Sequence, residues 1–128
     1  MTERHTVQKD KISAALRELH QHPTAAEVCA YVQAEYPGIS RATVYRVLDN
    51  MARQGKILRI PVADGADHFD YRTHLHYHIY CDGCGRVDDV KTENVGSLLA
   101  SVQDACGYAV VGYTLLFHGC CPACREKK

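Results

Sequence analysis

Neither sign of charge predominates in this chain: 15 Lys and Arg stand against 15 Asp and Glu. A net charge of zero excludes a protein drawn to nucleic acid by its overall field, so any such contact has to come from a local basic patch. Division near Thr73 changes little, because ten basic against nine acidic residues precede it and five against six follow. There is no apolar run of membrane-spanning length, no apolar signal region in the opening MTERHTVQKDKI, and no internal repeat or low-complexity stretch. These absences leave a chain of 128 residues, one domain or two small ones, expected in the cytoplasm and away from membranes. Units of about 60 residues are marginal alone and lean on a metal or a partner subunit.

What the chain does have is cysteine, seven in all. Without a secretory signal, two Cys-x-x-Cys pairs point to metal binding before disulfides. Cys81 and Cys84 form one pair, Cys121 and Cys124 the other, and 36 residues separate them. Four thiolates close a tetrahedron around zinc with no open position, which makes such a site structural. Two redox disulfides or idle thiols are the alternative, and Cys120 competes with Cys121 for a place. Cys29 and Cys106 fall on apolar helical faces and are expected in the core. A zinc deaminase is excluded, because that chemistry needs H-x-E followed by P-C-x-x-C. Here Pro122 lies inside the second pair and no H-x-E precedes it.

The stretch His68 to Asp89, HFDYRTHLHYHIYCDGCGRVDD, adds four histidines and four aspartates to the first cysteine pair. His76 and His78 alternate with Leu75, Tyr77 and Ile79, so a strand sends both imidazoles to one face. Imidazoles and carboxylates without thiolate suit Fe(II) or Mn(II). A solvated, unliganded cluster is the plainer reading, and it is the one expected for His20, His68, His74 and His118.

In chain order, Thr6 is expected to cap a helix to about Leu19, with Ile12, Ala15, Leu16 and Leu19 inward. Thr24 and Glu27 make the capping box of a second helix with Val28, Tyr31 and Val32 on its apolar face, stopped at Tyr36 to Gly38. Ser40 caps a third, ending at Gly55, with Val44, Val47, Leu48 and Met51 inward. KILRIPV and HFDYR, joined by ADGAD, read as a hairpin. Three helices and a hairpin make a winged helix-turn-helix. The start of its third helix reaches base edges and phosphates, which nominates Ser40, Arg41, Thr43, Tyr45 and Arg46 for DNA contact. A solvated helix face is the bland alternative. After Thr73 the pattern predicts strands at His76–Tyr80 and Arg86–Val90, a helix at Val95–Cys106, and a long strand YAVVGYTLLF before HGCCPAC. The charged end REKK is expected to fray. The fold class is therefore α+β, with a winged-helix part over residues 1–72 and a small α+β part over 73–128.

HPTAAEV, ISRATVYRVLDNM, HYHIYCDGCGRV and CPAC, in that order, resemble the ferric uptake regulator family of metal-dependent repressors. The resemblance runs from about His5 to Cys124. It implies a homodimer on a palindromic double-stranded operator, a structural zinc at the four cysteines, and a regulatory Fe(II) or Mn(II) at His22, Asp70, His76, His78 and Asp89. Two aspartates, where iron-sensing members usually have glutamates, resemble the peroxide-responsive branch, in which His22 or His76 would be oxidised. Where iron-type members place ligands of a further site, this chain has Leu75, Tyr77 and Tyr113, which implies that site is absent. The chain also departs from the family by starting almost directly at what is usually the second helix. A sensor of iron, manganese, zinc or nickel without redox chemistry is the alternative. A metal-dependent hydrolase built on His76, His78 and Asp89 is the distant one, since no general base accompanies them.

Overall fold

The computed structural model describes residues 3–19, 21–63, 65–74 and 76–126. Three helices, α1 (Glu3–Glu18), α2 (Ala25–Glu35) and α3 (Arg41–Arg53), lead into the hairpin β1 (Leu58–Ile60) and β2 (His68–Asp70). Then come β3 (Tyr77–Cys81), β4 (Val87–Val90), two 3-10 turns at Val95–Ser97 and Leu99–Ser101, β5 (Phe117–Gly119) and a short α4 (Pro122–Glu126).

Local chemistry places the helices. Thr24 Oγ1 accepts from Glu27 N at 3.2 Å while Thr24 N donates to the Glu27 carboxylate at 3.1 Å, the reciprocal capping box expected from the sequence. Ser40 Oγ likewise accepts from Thr43 N at 3.1 Å. Gly55, at φ 75°, lets the chain leave α3 by a left-handed turn. Along α3, Val44, Val47, Leu48 and Met51 are buried whereas Tyr45, Arg46 and Asn50 are not. Those four meet Ile12, Ala15 and Leu16 of α1, Val28, Cys29 and Val32 of α2, and Ile39, Ile57 and Phe69 in one core. Arg59 on β1 closes the wing over Phe69, pairing with Asp49 at 2.7 Å and Asp67 at 3.4 Å.

The second sheet runs β4-β3-β5, antiparallel on one side and parallel on the other. Its buried apolar content is thin: among the described residues beyond Phe69, Cys81 and Val87 are the buried hydrophobic ones.

Several expectations need correction. Helix α1 spans Glu3–Glu18, so Thr6, expected just ahead of it, lies within it. Tyr31 faces outward, 41% exposed, and Cys29 takes the inward place on α2. The helix expected at Val95–Cys106 is reduced to the two 3-10 turns, and of YAVVGYTLLF only Phe117 is in a strand. Apolar spacing suggested regular elements there, yet an apolar face forms one only against something. Val102, Tyr108, Val110 and Val111 are exposed in the single chain, Val111 at 95%. Cys106 is exposed too, at φ 53°, and is no core residue. Arg125 and Glu126 belong to α4 and are not frayed. His20, Leu75, Lys127 and Lys128 lie outside the described residues.

Leu48, fully buried at the centre of the helical core, gives a direct test of this architecture. Leu48→Ala should cost about 2–5 kcal/mol in urea denaturation, whereas Tyr45→Ala, on the exposed face of the same helix, should stay within about 0.5 kcal/mol.

Candidate functional site

Backbone pairing brings the histidine and aspartate cluster together. Phe69 N donates to Pro23 O at 2.8 Å and Thr24 bridges His68, so the segment before α2 lies along β2. His22, just ahead of that contact, takes φ 54°, a left-handed conformation that non-glycine residues rarely adopt. Buried His68 holds it there, its Nδ1 donating to His22 O at 2.6 Å. His68 is therefore not the solvated histidine expected from the sequence. From the other side, β3 pairs His78 with Asp89 of β4, and His76 stands just before β3.

The result is five side chains from five places: His22, Asp70, His76, His78 and Asp89 each offer one ligand atom, all within 4.8 Å of one another. His22, His76 and His78 present Nε2 to Asp70 Oδ2 at 3.1, 2.8 and 3.2 Å, and to Asp89 Oδ1 at 2.9, 3.5 and 3.5 Å. Tautomer chemistry shows what such a group lacks. His76 Nδ1 lies 2.6 Å from His74 O, a contact that requires Nδ1 to carry the proton. In neutral His76, Nε2 then turns a lone pair toward a carboxylate oxygen, a repulsive contact that protonation or a cation between them resolves. His22 Nδ1 is buried with no partner. Three imidazoles and two carboxylates fit a borderline-hard divalent ion such as Fe(II) or Mn(II).

The same charges shift the proton equilibria. Burial raises the Asp70 pKa, yet hydrogen bonds from His22, His78, the Arg72 backbone and His76 outweigh it and hold the carboxyl far below its usual range. Burial acts to lower the His22 pKa, but the hydrogen bond and charge of Asp70, with those of Asp89, raise it above 6.5. Asp89 is lowered: burial opposes, while Arg72 and His22 prevail. Arg72 passed unnoticed in the sequence. Its guanidinium donates to Asp89 and lies 3.4 Å from Asp70 Oδ2. The available signal was its spacing, two residues past Asp70 and so on the same face of an extended chain.

The second cluster is Cys81, Cys84, Cys121 and Cys124, again with ligand atoms within 4.8 Å of one another. Parallel pairing of Cys81 with Gly119 returns the second pair beside the first. Gly83 is required at the turn, because a Cβ there would lie 2.9 Å from Cys124 Sγ. Cys121 N donates to Cys81 Sγ at 3.3 Å, and backbone N–H groups of Cys121 and Cys84 pull the Cys81 pKa down to about 6. Cys124, crowded by the sulfurs of Cys121 and Cys81, is pushed up to about 12. Four thiolates together thus call for a cation, and tetrahedral zinc fits the donor set. Cys120 is exposed and outside the cluster, and all seven cysteines are free thiols.

At the start of α3, Ser40, Arg41, Tyr45 and Arg46 are exposed and Thr43 is half-buried. Arg41 donates to Tyr45 Oη at 3.0 Å and lies over its ring, so the two side chains form one basic, aromatic ledge. Thr43 is committed to the Ser40 cap.

Comparison with known proteins adds the following. The model of the ferric uptake regulator family matches residues 2–118. The peroxide-responsive repressor PerR of Staphylococcus saprophyticus is 31% identical over 122 residues, 95% of this chain and 82% of that protein. A Campylobacter jejuni peroxide stress regulator superposes with a TM-score of 0.74 at 26% identity, over 94% of this chain and 91% of the other. The ferric uptake regulator of Francisella tularensis with iron gives a TM-score of 0.78 at 22% identity, over 98% and 94%, a likeness of fold.

A stability measurement probes the imidazole–carboxylate pairing. With no metal at this cluster, the raised His22 pKa contributes stability that is complete below pH 6.5 and lost as pH rises through the folded value. The thermal midpoint should therefore fall as pH is raised above 6.5, and Asp70→Asn should flatten that fall.

Proposed function

Because this chain belongs to the ferric uptake regulator family, we propose that it is a metal-dependent transcriptional repressor that binds a palindromic DNA operator as a homodimer. The observation that carries this reading is the five-residue cluster, to which the helical part contributes His22 and Asp70 and the second sheet contributes His76, His78 and Asp89. Members of the family are transcriptional regulators rather than enzymes, and the hydrolase reading falls with that.

In this reading residues 1–72 read DNA and residues 73–128 form the dimer. Cys81, Cys84, Cys121 and Cys124 hold structural zinc, which offsets the thin core of the second sheet. His22, Asp70, His76, His78 and Asp89 hold Fe(II) or Mn(II). With all five engaged, the angle between the two parts is fixed, and the α3 helices of two subunits meet successive major grooves one helical turn or a multiple apart. Without the ion, each half-site binds separately and the gain from linked binding is lost. Arg41, Tyr45 and Arg46 meet bases and phosphates, and Ser40 and Thr43 fix the start of the helix. The exposed apolar residues from Leu98 to Tyr113 suit burial against a second copy. Among the described residues no helix is long and apolar enough to cross a membrane. An operator-binding protein with free thiols belongs in the cytoplasm.

Likeness to peroxide-responsive relatives supports the redox form of this function. His22, Asp70, His76, His78 and Asp89 would hold Fe(II), which would supply the reducing electrons for cleavage of hydrogen peroxide, and the adjacent His22 or His76 imidazole would take up the oxygen. His22 and His76 are the residues exposed to that damage. An oxidised ring ligates poorly, so His22 no longer ties the helical part to the sheet and DNA is released.

Fluorescence anisotropy on a duplex selected from a random pool with Mn(II) present tests the whole sequence of events. Mn(II) or Fe(II) should switch binding on, and His76→Ala should abolish the response while zinc content and dimer mass persist. Arg46→Ala should weaken binding by about 1–3 kcal/mol and reduce its salt dependence. Peroxide should release the Fe(II) form alone, with one oxygen gained on a peptide containing His22 or His76. Equal responses with and without peroxide make the protein a sensor of the metal itself. Release with unmodified histidines moves the chemistry to the cysteines.

A further inference from the structure

The segment joining β2 to β3 carries a cation that the mechanism above does not use. Arg72 Nη2 donates to Asp89 Oδ2 and lies 3.4 Å from both Asp70 Oδ2 and His22 Nε2, while its Nε lies 3.4 Å from Asp70 Oδ1. The guanidinium therefore engages both carboxylates and reaches one imidazole of the cluster. Asp70 Oδ2 and His22 Nε2 are also atoms on which the cluster converges.

A divalent ion and a guanidinium cannot share these groups without cost. Each takes the carboxylate lone pairs that the other needs, and their like charges repel at short range. Even in the dielectric of water, a unit charge about 5 Å from a dication changes its affinity roughly tenfold. Arg72 also has a way out. Its side chain is about one-third exposed to solvent, at the mouth of a cleft of about 320 Å³ that His22, Asp70 and Asp89 line together with Leu16, Pro23, Tyr71 and Asp88. It can leave the carboxylates without crossing the core.

We infer that Arg72 is a tethered competitor of the regulatory metal, a positioning residue that sets the free-metal concentration at which the cluster fills. The inference rests on the reading of His22, Asp70, His76, His78 and Asp89 as a divalent-ion site. Before the ion enters, Arg72 neutralises Asp70 and Asp89, so the ligands stay gathered and the two carboxylates do not drive each other apart. As the ion enters, Arg72 yields the carboxylate oxygens and turns to solvent. Affinity is lowered by the work of displacing it.

Titration of the full-length, zinc-loaded protein with Mn(II) decides the matter, read by calorimetry and by the electron paramagnetic resonance of unbound Mn(II). Arg72→Gln keeps a polar side chain and removes the charge, and it should bind Mn(II) about tenfold tighter or more. Arg72→Lys keeps a charge without the fork that spans two carboxylates, and it should fall between Arg72→Gln and the parent. The Mn(II) concentration for half-maximal DNA binding should move by the same factor. Arg72→Gln binding Mn(II) no tighter than the parent, or more weakly, overturns the inference and leaves the site itself standing. A parent protein that binds no Mn(II) at all removes both.

Discussion

A nearly buried carboxylate stands where two parts of one chain meet, and three imidazoles converge on it. Asp70 is 4% exposed, and its Oδ2 lies within 3.2 Å of Nε2 of His22, His76 and His78. Neutral imidazole has one proton to donate, and at His76 that proton goes to a backbone carbonyl. The cluster is therefore short of positive charge by construction. Something cationic has to sit among these groups, and the rest of the molecule follows from what that is: a proton, the Arg72 guanidinium, or a metal ion.

The scaffold spends backbone strain to set this up. His22 is held in a left-handed conformation that costs of order 1–3 kcal/mol for a non-glycine residue. The strain is held by pairing with β2 at two successive carbonyls, through the His68 ring on His22 O and through Phe69 N on Pro23 O. Such over-determination is what keeps an unfavourable backbone angle in place. The helical core behind it is well filled, from Ile12 to Phe69, and supplies the rigidity. The second sheet lacks a comparable core, which explains why its two Cys-x-x-Cys turns have to be tied together.

Much of this was legible in the chain. The Thr24–Glu27 and Ser40 caps, the α3 face of Val44, Val47, Leu48 and Met51, and the hairpin all follow from short-range rules, and the structure has each of them. His76 and His78 on one face follow from strand alternation. What failed did so for lack of partners: residues 95–116 have helical or strand spacing, yet most of their apolar side chains are exposed in one chain, so apolar periodicity overstated their regularity. His68 and Arg72 escaped notice for another reason. The role of His68 depends on where the His22 backbone arrives in space, 46 residues away along the chain, and that of Arg72 on adding the Asp89 carboxylate, 17 residues on, to its near neighbour Asp70.

The two clusters differ in one respect that decides what each can do. All four sulfurs come from residues 81–124, from the same small sheet and its flanking turns, so under the proposed function an ion held there would bind every arrangement of the two parts equally well. A ligand with equal affinity for two states shifts nothing, however tightly it binds. The imidazole–carboxylate cluster takes two ligands from the helical part and three from the sheet. Under the proposed function, an ion there would lose His22 and Asp70 if the two parts separated, and that loss would be a difference in affinity between the two arrangements. Inverting a 1:99 population takes about ten-thousandfold discrimination, a demand on two ligands at once that one imidazole alone is poorly placed to meet. A single-site change at His22 or Asp70 therefore need not prevent binding of the ion in order to uncouple it from DNA. It is enough that the ion no longer distinguishes the closed arrangement from the open one.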